Sequence, residues 1–163
     1  MPETTIRKAT EQDWPILESI FDAARSRMRA EGNATQWVNG YPGLEEVLSD
    51  IGRNEGFVVA HNGRPVGYFC LQAGGESTYS VVRGGEWPAT GAYLTIHRAA
   101  AKTSGLGIFR VILDFALSFG LQVRADTHAD NRTMLAILRR SGFVQVGEIT
   151  LSDGTPRLAF YHP

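Results

Sequence analysis

The residues best suited to chemistry in this 163-residue chain stand between positions 96 and 108, where an apolar run leads through a turn into a new helical pattern. Gly105 and Gly107 directly precede that helix. The first N–H groups of a helix have no partner within it, and together with the helix dipole they favour an anion such as pyrophosphate. Glycines let the backbone approach such a ligand closely. An ordinary tight turn is the alternative, because the segment is neither a P-loop nor a complete G-x-G-x-x-G motif.

A strand before this turn and a helix after it must hold it in place, and the patterning predicts both. Apolar runs and alternation predict seven strands, over residues 6–9, 57–60, 65–72, 93–101, 121–127, 143–151 and 157–161. Helical spacing predicts four helices, one that begins after a capping pair of Thr10 and Asp13 and runs through about residue 29, and the others over 44–51, 108–119 and 131–140. Residues 74–90 are rich in glycine and serine and form a long loop of the functional kind.

The order of these elements predicts the architecture. Asn62-Gly63 is a strong hairpin turn early in the chain, whereas a strand–helix–strand crossover follows residue 93. We therefore predict an α/β (α+β) fold, a mixed central sheet of about seven strands with about four helices on both faces. No linker divides the chain, so residues 1–163 are expected to form a single domain.

Composition excludes several classes of protein. The 16 basic and 17 acidic residues nearly balance, which argues against a strongly electrostatic nucleic-acid binder. The single cysteine, Cys70, excludes an internal disulfide and a multi-cysteine zinc site, and its apolar surroundings predict a buried, inert thiol. There is no signal-peptide pattern and no run long enough to span a bilayer, so we expect a soluble cytoplasmic protein without a membrane partner.

Over residues 6–161 the chain resembles the GNAT superfamily of N-acyltransferases. The segment 96–108 is similar to the fourth strand and coenzyme A pyrophosphate loop of that family. The run Arg-Ala-Asp-Thr-His-Ala-Asp-Asn at 124–131, followed by Gly142-Phe143, is similar to its fifth strand and next helix. Gln36-Trp37-x-x-Gly40-Tyr41-Pro42 is similar to a bacterial subgroup.

This resemblance implies acetyl-coenzyme A as the co-substrate. The pantetheine arm would pair like an added strand with residues around 99–101, and the pyrophosphate would lie against 104–108. Asn131 matches an asparagine that commonly contacts the cofactor, although capping of the following helix is an alternative role, and both can hold together. The implied cofactor-binding residues are Ala99, Ala100, Ala101, Ser104, Gly105, Leu106, Gly107, Ile108 and Asn131.

The pyrophosphate loop departs from the family pattern, which carries Arg or Gln before its glycines. One register puts Ser104 at that basic position and Phe109 at the final glycine. The other, Lys102-x-x-Gly105-x-Gly107, restores a basic residue and moves the glycines earlier. The sequence leaves both open.

The implied reaction is direct attack of a primary amine on the thioester in a ternary complex, with a backbone N–H of the fourth strand polarising the carbonyl. A base is useful, because an alkylamine with a pKa of about 10 is mostly protonated at neutral pH. His97, Asp126 and His128 are the candidate catalytic residues. A histidine with a structural hydrogen bond is the alternative for each histidine, and an ion pair with Arg98 or Arg124 is the alternative for Asp126.

Many family members carry a tyrosine seven residues after the asparagine, where it protonates the leaving thiolate, but this chain has Leu138 there. Tyr93, Tyr79 and Ser141 are the candidate substitutes. The two candidate histidines lack a convincing third ligand, so no metal is expected.

Aromatic residues in the two least regular segments, 29–43 and 74–87, can form the pocket for the acceptor amine. Glu31 or Glu86 in these segments can attract a cationic amine. These aromatic residues are Trp37, Tyr41, Tyr79 and Trp87. Packing of the loops onto the sheet is the alternative role for each of them.

Three hypotheses for function remain at this stage. The first is an N-acetyltransferase acting on a small-molecule or peptide amine, and the second is a non-catalytic acyl-coenzyme A-binding or sensor module with the same fold. Leu138 and the altered loop favour the second, whereas the polar residues near the turn favour the first. A nucleotide-binding domain is disfavoured by the early hairpin. The resemblance also leaves open a homodimer formed through the last hairpin.

Overall fold

The computed structural model describes residues 3–88 and 91–163, which form one sheet flanked by helices. Its strands are β1 (Thr4–Lys8), β2 (Gly56–His61), β3 (Arg64–Ala73), β4 (Tyr93–Ala101), β5 (Gln122–Thr127), β6 (Val144–Thr150) and β7 (Pro156–His162). Its α-helices are α1 (Trp14–Ala30), α2 (Leu44–Gly52), α3 (Ile108–Leu117) and α4 (Arg132–Arg140). The prediction of a mixed seven-stranded sheet with four helices is confirmed.

The sheet opens at its centre. Its strand order is β1-β2-β3-β4-β5-β7-β6, and β4 and β5 are the parallel neighbours, joined through α3. Their pairing covers three residue pairs, from Tyr93 with Gln122 to Thr95 with Arg124. Beyond Thr95 the described part of β4 pairs with β3 and that of β5 with β7, so a gap separates the two strands.

Helices cover both faces of the sheet. Because neighbouring side chains of a strand point to opposite faces, Val58 and Val59 belong to different cores. Val59 packs in the core that includes residues of α3 and α4, and Val58 in the core that includes residues of α1 and α2. A third cluster, built around Tyr79, Ile149 and Ala159, lies against β6 and β7.

Some boundaries differ from the predictions. Helix α3 ends at Leu117, so Phe119 is not part of its apolar face and is 55% exposed. The predicted loop 74–90 contains one turn of 3-10 helix, Ser77–Tyr79, and its residues 89 and 90 lie outside the described part of the chain. None of the helices in the described ranges is both long and apolar enough to cross a membrane.

Candidate functional site

The gap between β4 and β5 widens into a cleft of about 1140 Å³. Its walls come from the open edge of β4, the turn before α3, the end of β5 and the start of α4. All of the predicted cofactor-binding residues line this cleft, namely Ala99, Ala100, Ala101, Ser104, Gly105, Leu106, Gly107, Ile108 and Asn131. The structure therefore brings together residues that are up to 32 positions apart, from 99 to 131.

The backbone of β4 directs hydrogen-bonding groups toward the cleft. The N–H of Lys102 donates to the carbonyl of Val66 on β3 at 2.8 Å. Because consecutive residues of a strand direct their backbone groups to opposite sides, those of Ala101 point away from β3 and toward the gap. The side chain of Arg27 lies there, with Nη2 donating to the Ala101 carbonyl at 2.6 Å and Nη1 to the Lys102 carbonyl at 3.0 Å.

The turn before α3 has the conformation that its glycines permit. Gly105 and Gly107 have φ values of 88° and 64°, which L-residues rarely adopt, and Gly107 caps α3. Val111 makes the first helical bond, to the Gly107 carbonyl. The N–H groups of residues 108–110 donate to no described residue and lie at the cleft.

This geometry bears on the two registers of the loop. Phe109, which the first register puts at the final glycine position, is the second residue of α3. Gly105 and Gly107 are the residues with left-handed backbone, as the second register requires. The backbone conformation therefore favours the register Lys102-x-x-Gly105-x-Gly107, and the assignment of Lys102 to the basic position stays a prediction.

Asn131 caps α4, which confirms one of its two predicted roles. Its Oδ1 accepts from the N–H of Met134 at 3.1 Å, and its Nδ2 donates to Oε1 of Gln36 at 3.1 Å. The same oxygen of Gln36 also lies within 3.1–3.4 Å of Asn33 Nδ2, Thr127 Oγ1 and the N–H of His128. Gln36 thus ties the segment after α1 to the loop between β5 and α4.

His97 faces the cleft and lies against a carboxylate that sequence reasoning missed. Its Nε2 lies 3.2 Å from Oε2 of Glu76, with both side chains largely buried. This contact with His97 holds the pKa of the Glu76 carboxyl at about 2, well below its usual range, although burial opposes the effect. Glu76 stands 21 positions before His97. The one feature of the sequence that could have pointed to Glu76 is its place in the long loop after β3.

Asp126 lies in the same cleft and accepts a hydrogen bond from the hydroxyl of Tyr79 at 2.7 Å. Burial raises the pKa of the Asp126 carboxyl, against the opposing effects of His97 and the Tyr79 hydroxyl. Burial also raises the pKa of Tyr79 well above its usual range, so this hydroxyl stays protonated. His97, Glu76 and Asp126 form what we call the acid–base cluster.

His128 does not line the cleft with the other two candidate bases. Strand β5 ends at Thr127, so the regular alternation that would align His128 with Asp126 stops one residue too early. Its Nδ1 accepts from the N–H of Asp130 at 3.0 Å, and its Nε2 lies 3.4 Å from Thr35 Oγ1. These contacts hold the loop before α4.

The predicted acceptor-pocket residues divide into two pairs. Trp37 and Tyr41 line the cleft, and their rings meet edge to face at 6.4 Å. Tyr79 is buried beside Trp87, whose Nε1 donates to the Tyr79 carbonyl at 2.9 Å, and neither is part of the cleft lining. Of the two predicted acidic residues, Glu31 lines the cleft and Glu86 does not.

Arg98 is paired with α2 and not with Asp126 as the sequence alternative proposed. Its Nε donates to Oδ2 of Asp50 at 3.0 Å, and its Nη2 contacts the other oxygen. The pairing of β3 with β4 shifts register between Tyr68 and Cys70, and opposite this shift Arg98 takes a φ of 53°. The ion pair thus holds a β-bulge in the wall of the cleft.

Leu138 is fully buried in the core, and its hydrocarbon side chain has no proton to donate. Of the candidate substitutes, the hydroxyl of Tyr93 accepts from the N–H of Glu76 at 2.8 Å, and Ser141 lines the cleft. Cys70 is fully buried, as predicted, and burial raises the pKa of its thiol to about 12. No group of three or more His, Cys, Asp or Glu residues in the described ranges is placed to hold a metal ion.

Solved structures similar to this one include acetyltransferases. A GNAT-family acetyltransferase from Streptococcus agalactiae is 29% identical and superposes with a TM-score of 0.86, over 98% of this chain and 94% of that one. The ribosomal-protein-S18-alanine N-acetyltransferase from Escherichia coli is 18% identical, with a TM-score of 0.63 over 99% and 94% of the two chains.

Naa50 from Arabidopsis thaliana, solved in complex with the bisubstrate analogue CoA-Ac-MVNAL, is 11% identical, with a TM-score of 0.62 over 98% of both chains. At these identities the last two show a shared fold alone. No protein-family model and no curated protein sequence matches the chain significantly.

Proposed function

We propose that this chain, which belongs to the GNAT superfamily, transfers an acetyl group from acetyl-coenzyme A to a primary amine. The observation that carries the proposal is the opening between β4 and β5, with a glycine turn at one end and the acid–base cluster at the other. The similar solved structures are named as acetyltransferases, which does not favour the alternative of a module that only binds.

The cleft presents hydrogen-bonding groups that suit acetyl-coenzyme A. The backbone groups of residues 99–101 that face the gap match the amides of a pantetheine arm. The unpaired N–H groups at the start of α3 match a pyrophosphate, and the positive end of the helix dipole favours the same anion. Arg27 adds positive charge beside this turn.

The acid–base cluster has the groups needed to prepare the acceptor. Glu76 and Asp126 attract an ammonium group, and His97, whose ring contacts Glu76, can accept its proton directly or through water. As the C–N bond forms, the C–S bond breaks, the amine proton passes to the cluster, and the thiolate takes a proton from solvent. A backbone N–H at the Arg98 bulge can polarise the thioester carbonyl.

Thiolate departure does not require a dedicated donor. A free thiol has a pKa of about 8.5, so the thiolate is a tolerable leaving group near neutral pH. The leucine at position 138 therefore removes the rate contribution of a thiolate-protonating side chain without blocking the reaction.

Two measurements test the proposal. Acetyl-coenzyme A at about 100 times its dissociation constant should stabilise the fold by about 2.7 kcal/mol, which is several degrees in Tm, whereas a dinucleotide such as NAD should not. Release of coenzyme A thiol should then require an added amine. Binding without any amine-dependent thiol release would leave only the binding module, and the absence of a shift at millimolar ligand would refute both.

The acid–base cluster has its own test. His97→Gln should lower kcat with little change in the acetyl-coenzyme A-dependent Tm shift, and His128→Gln, outside the cleft, is the matched control. Equal losses in the two variants would contradict the assignment of the base to the cluster.

A further inference from the structure

Arg157 is a buried cation in the wall of the cleft that the proposed reaction does not use. It lies on β7, is 7% exposed, and lines the cleft. Arginine is almost never buried to this extent unless its charge is paired. The surroundings of this side chain therefore point to what it binds.

No carboxylate among the described residues neutralises Arg157 by direct contact. Its Nη1 donates to the Pro156 carbonyl at 2.8 Å and lies 3.4 Å from Thr155 Oγ1. No carboxylate oxygen of a described residue lies within 4.0 Å of its guanidinium nitrogens. Its Nε and Nη2 donate to no described side chain or carbonyl, so two N–H directions of the fork remain for a ligand.

The guanidinium lies on the same face of the sheet as the acid–base cluster. Asp126 on β5 pairs directly with Ala159 on β7, and Arg157 is two residues from Ala159, so all three side chains share one face. Asp126 and Arg157 are one strand apart across the sheet and two residues apart along it, which separates their Cα atoms by about 8 Å. The side chains of both reach into one cleft.

An acceptor bound here meets negative groups at one point and a positive group close by. Glu76 and Asp126 present carboxylates beside His97, and Arg157 presents a guanidinium whose planar fork matches a carboxylate. The charge of Arg157 also acts on Asp126, where together with His97 it opposes the effect of burial on the pKa. The carboxylates of Glu76 and Asp126 and the guanidinium of Arg157 therefore lie within one small region of the cleft.

We propose that Arg157 binds a carboxylate of the acceptor, so that the acceptor is an amino acid whose amine and carboxylate are a few bonds apart. This rests on the proposed acetyl transfer and names its substrate class. Peptide N-termini and simple alkylamines carry no carboxylate at this distance and would leave Arg157 without its partner. An unpaired buried cation would make them poorer substrates.

The first test uses the unchanged protein. Thiol release from acetyl-coenzyme A is measured with the common L-amino acids, with their amides, and with the amines that lack the carboxylate. The best amino acid should exceed its own amide in kcat/KM by about ten-fold or more, since hydrogen bonds to charged groups contribute at this level. The loss on amidation should appear mainly in KM, because this contact is made in the ground state as well.

The second test changes the cation. Arg157→Gln should bring the ratio of acid to amide close to one by lowering the rate with the acid, and Arg157→Lys should retain part of the preference. Arg64→Gln, an exposed arginine outside the cleft, should leave the ratio unchanged. The acetyl-coenzyme A-dependent Tm shift of each variant verifies that the fold and the co-substrate site persist.

The outcomes separate this inference from the function on which it rests. Acetylation of amides or alkylamines at rates equal to the amino acids would overturn the amino acid acceptor and leave acetyl transfer intact. Equal loss with acid and amide in Arg157→Gln would show that Arg157 only stabilises the fold, and would also overturn it. No acetylation of any amine would overturn both proposals.

Discussion

The ion pair between Arg98 and Asp50 supports the cleft wall, and Arg98→Met removes it while keeping most of the aliphatic volume. Asp50 is 0% exposed and accepts a hydrogen bond from the Tyr68 hydroxyl at 2.6 Å. Burial lowers the pKa of Arg98, but the hydrogen bonds to Asp50 outweigh it and raise the pKa above its usual range. The guanidinium is therefore charged at every accessible pH, and its loss leaves a buried carboxylate.

The expected cost follows from what remains around that carboxylate. Removing one partner of a buried ion pair typically costs about 3–5 kcal/mol. Tyr68 and Arg53, whose Nη2 is 3.2 Å from Asp50 Oδ1, still compensate part of the charge. We therefore expect the lower end, about 3 kcal/mol, which corresponds to a Tm lower by roughly 6–12 °C for a domain of this size.

Urea and thermal unfolding of purified variants measure this effect. Arg53→Met is the matched control, because its side chain contacts the same aspartate but is 53% exposed, and it should cost about 1 kcal/mol or less. In the double variant with Asp50→Asn, the loss should be smaller than the sum of the single losses by about 1 kcal/mol or more. A Tm for Arg98→Met no lower than that of Arg53→Met would refute the reasoning.

Three further predictions concern the turn, the cluster and the cap. Gly107→Ala should lower the free energy of unfolding by about 1 kcal/mol because of the positive φ, since no atom lies within 4 Å of the new Cβ. The same variant should weaken acetyl-coenzyme A binding. Gly63→Ala is the control and should show the loss of stability without the loss of binding. Glu76→Gln should lower stability at pH 7 by about 1 kcal/mol after solvent screening. Because the pKa of Glu76 falls from 4.5 to about 2 on folding, this difference from the wild type should shrink as acid titrations pass from pH 4.5 to 2. Asn131→Ala should cost about 1 kcal/mol in urea unfolding, and Asn131→Ser should recover most of it.

The amino-acid sequence by itself determined the elements and their order. Strand and helix periods depend on neighbouring residues along the chain, so the seven strands and four helices could be predicted within a few residues. The glycine turn was also readable, because a helix start, two glycines and the preceding strand are contiguous. The same locality explains why Asn131 could be assigned as a cap.

Only the tertiary structure decided which side chains meet. Glu76 and His97 are joined across a loop, and Arg98 and Asp50 across 48 positions, distances over which no periodic pattern carries information. The bulge at Arg98 and the end of β5 at Thr127 also change which face a residue presents, so strand alternation does not place His128 beside Asp126. In the sequence, Arg157 is an ordinary residue of a strand. Its burial, and the lack of a carboxylate partner among the described residues, result from packing, which depends on the whole fold and not on neighbouring residues along the chain.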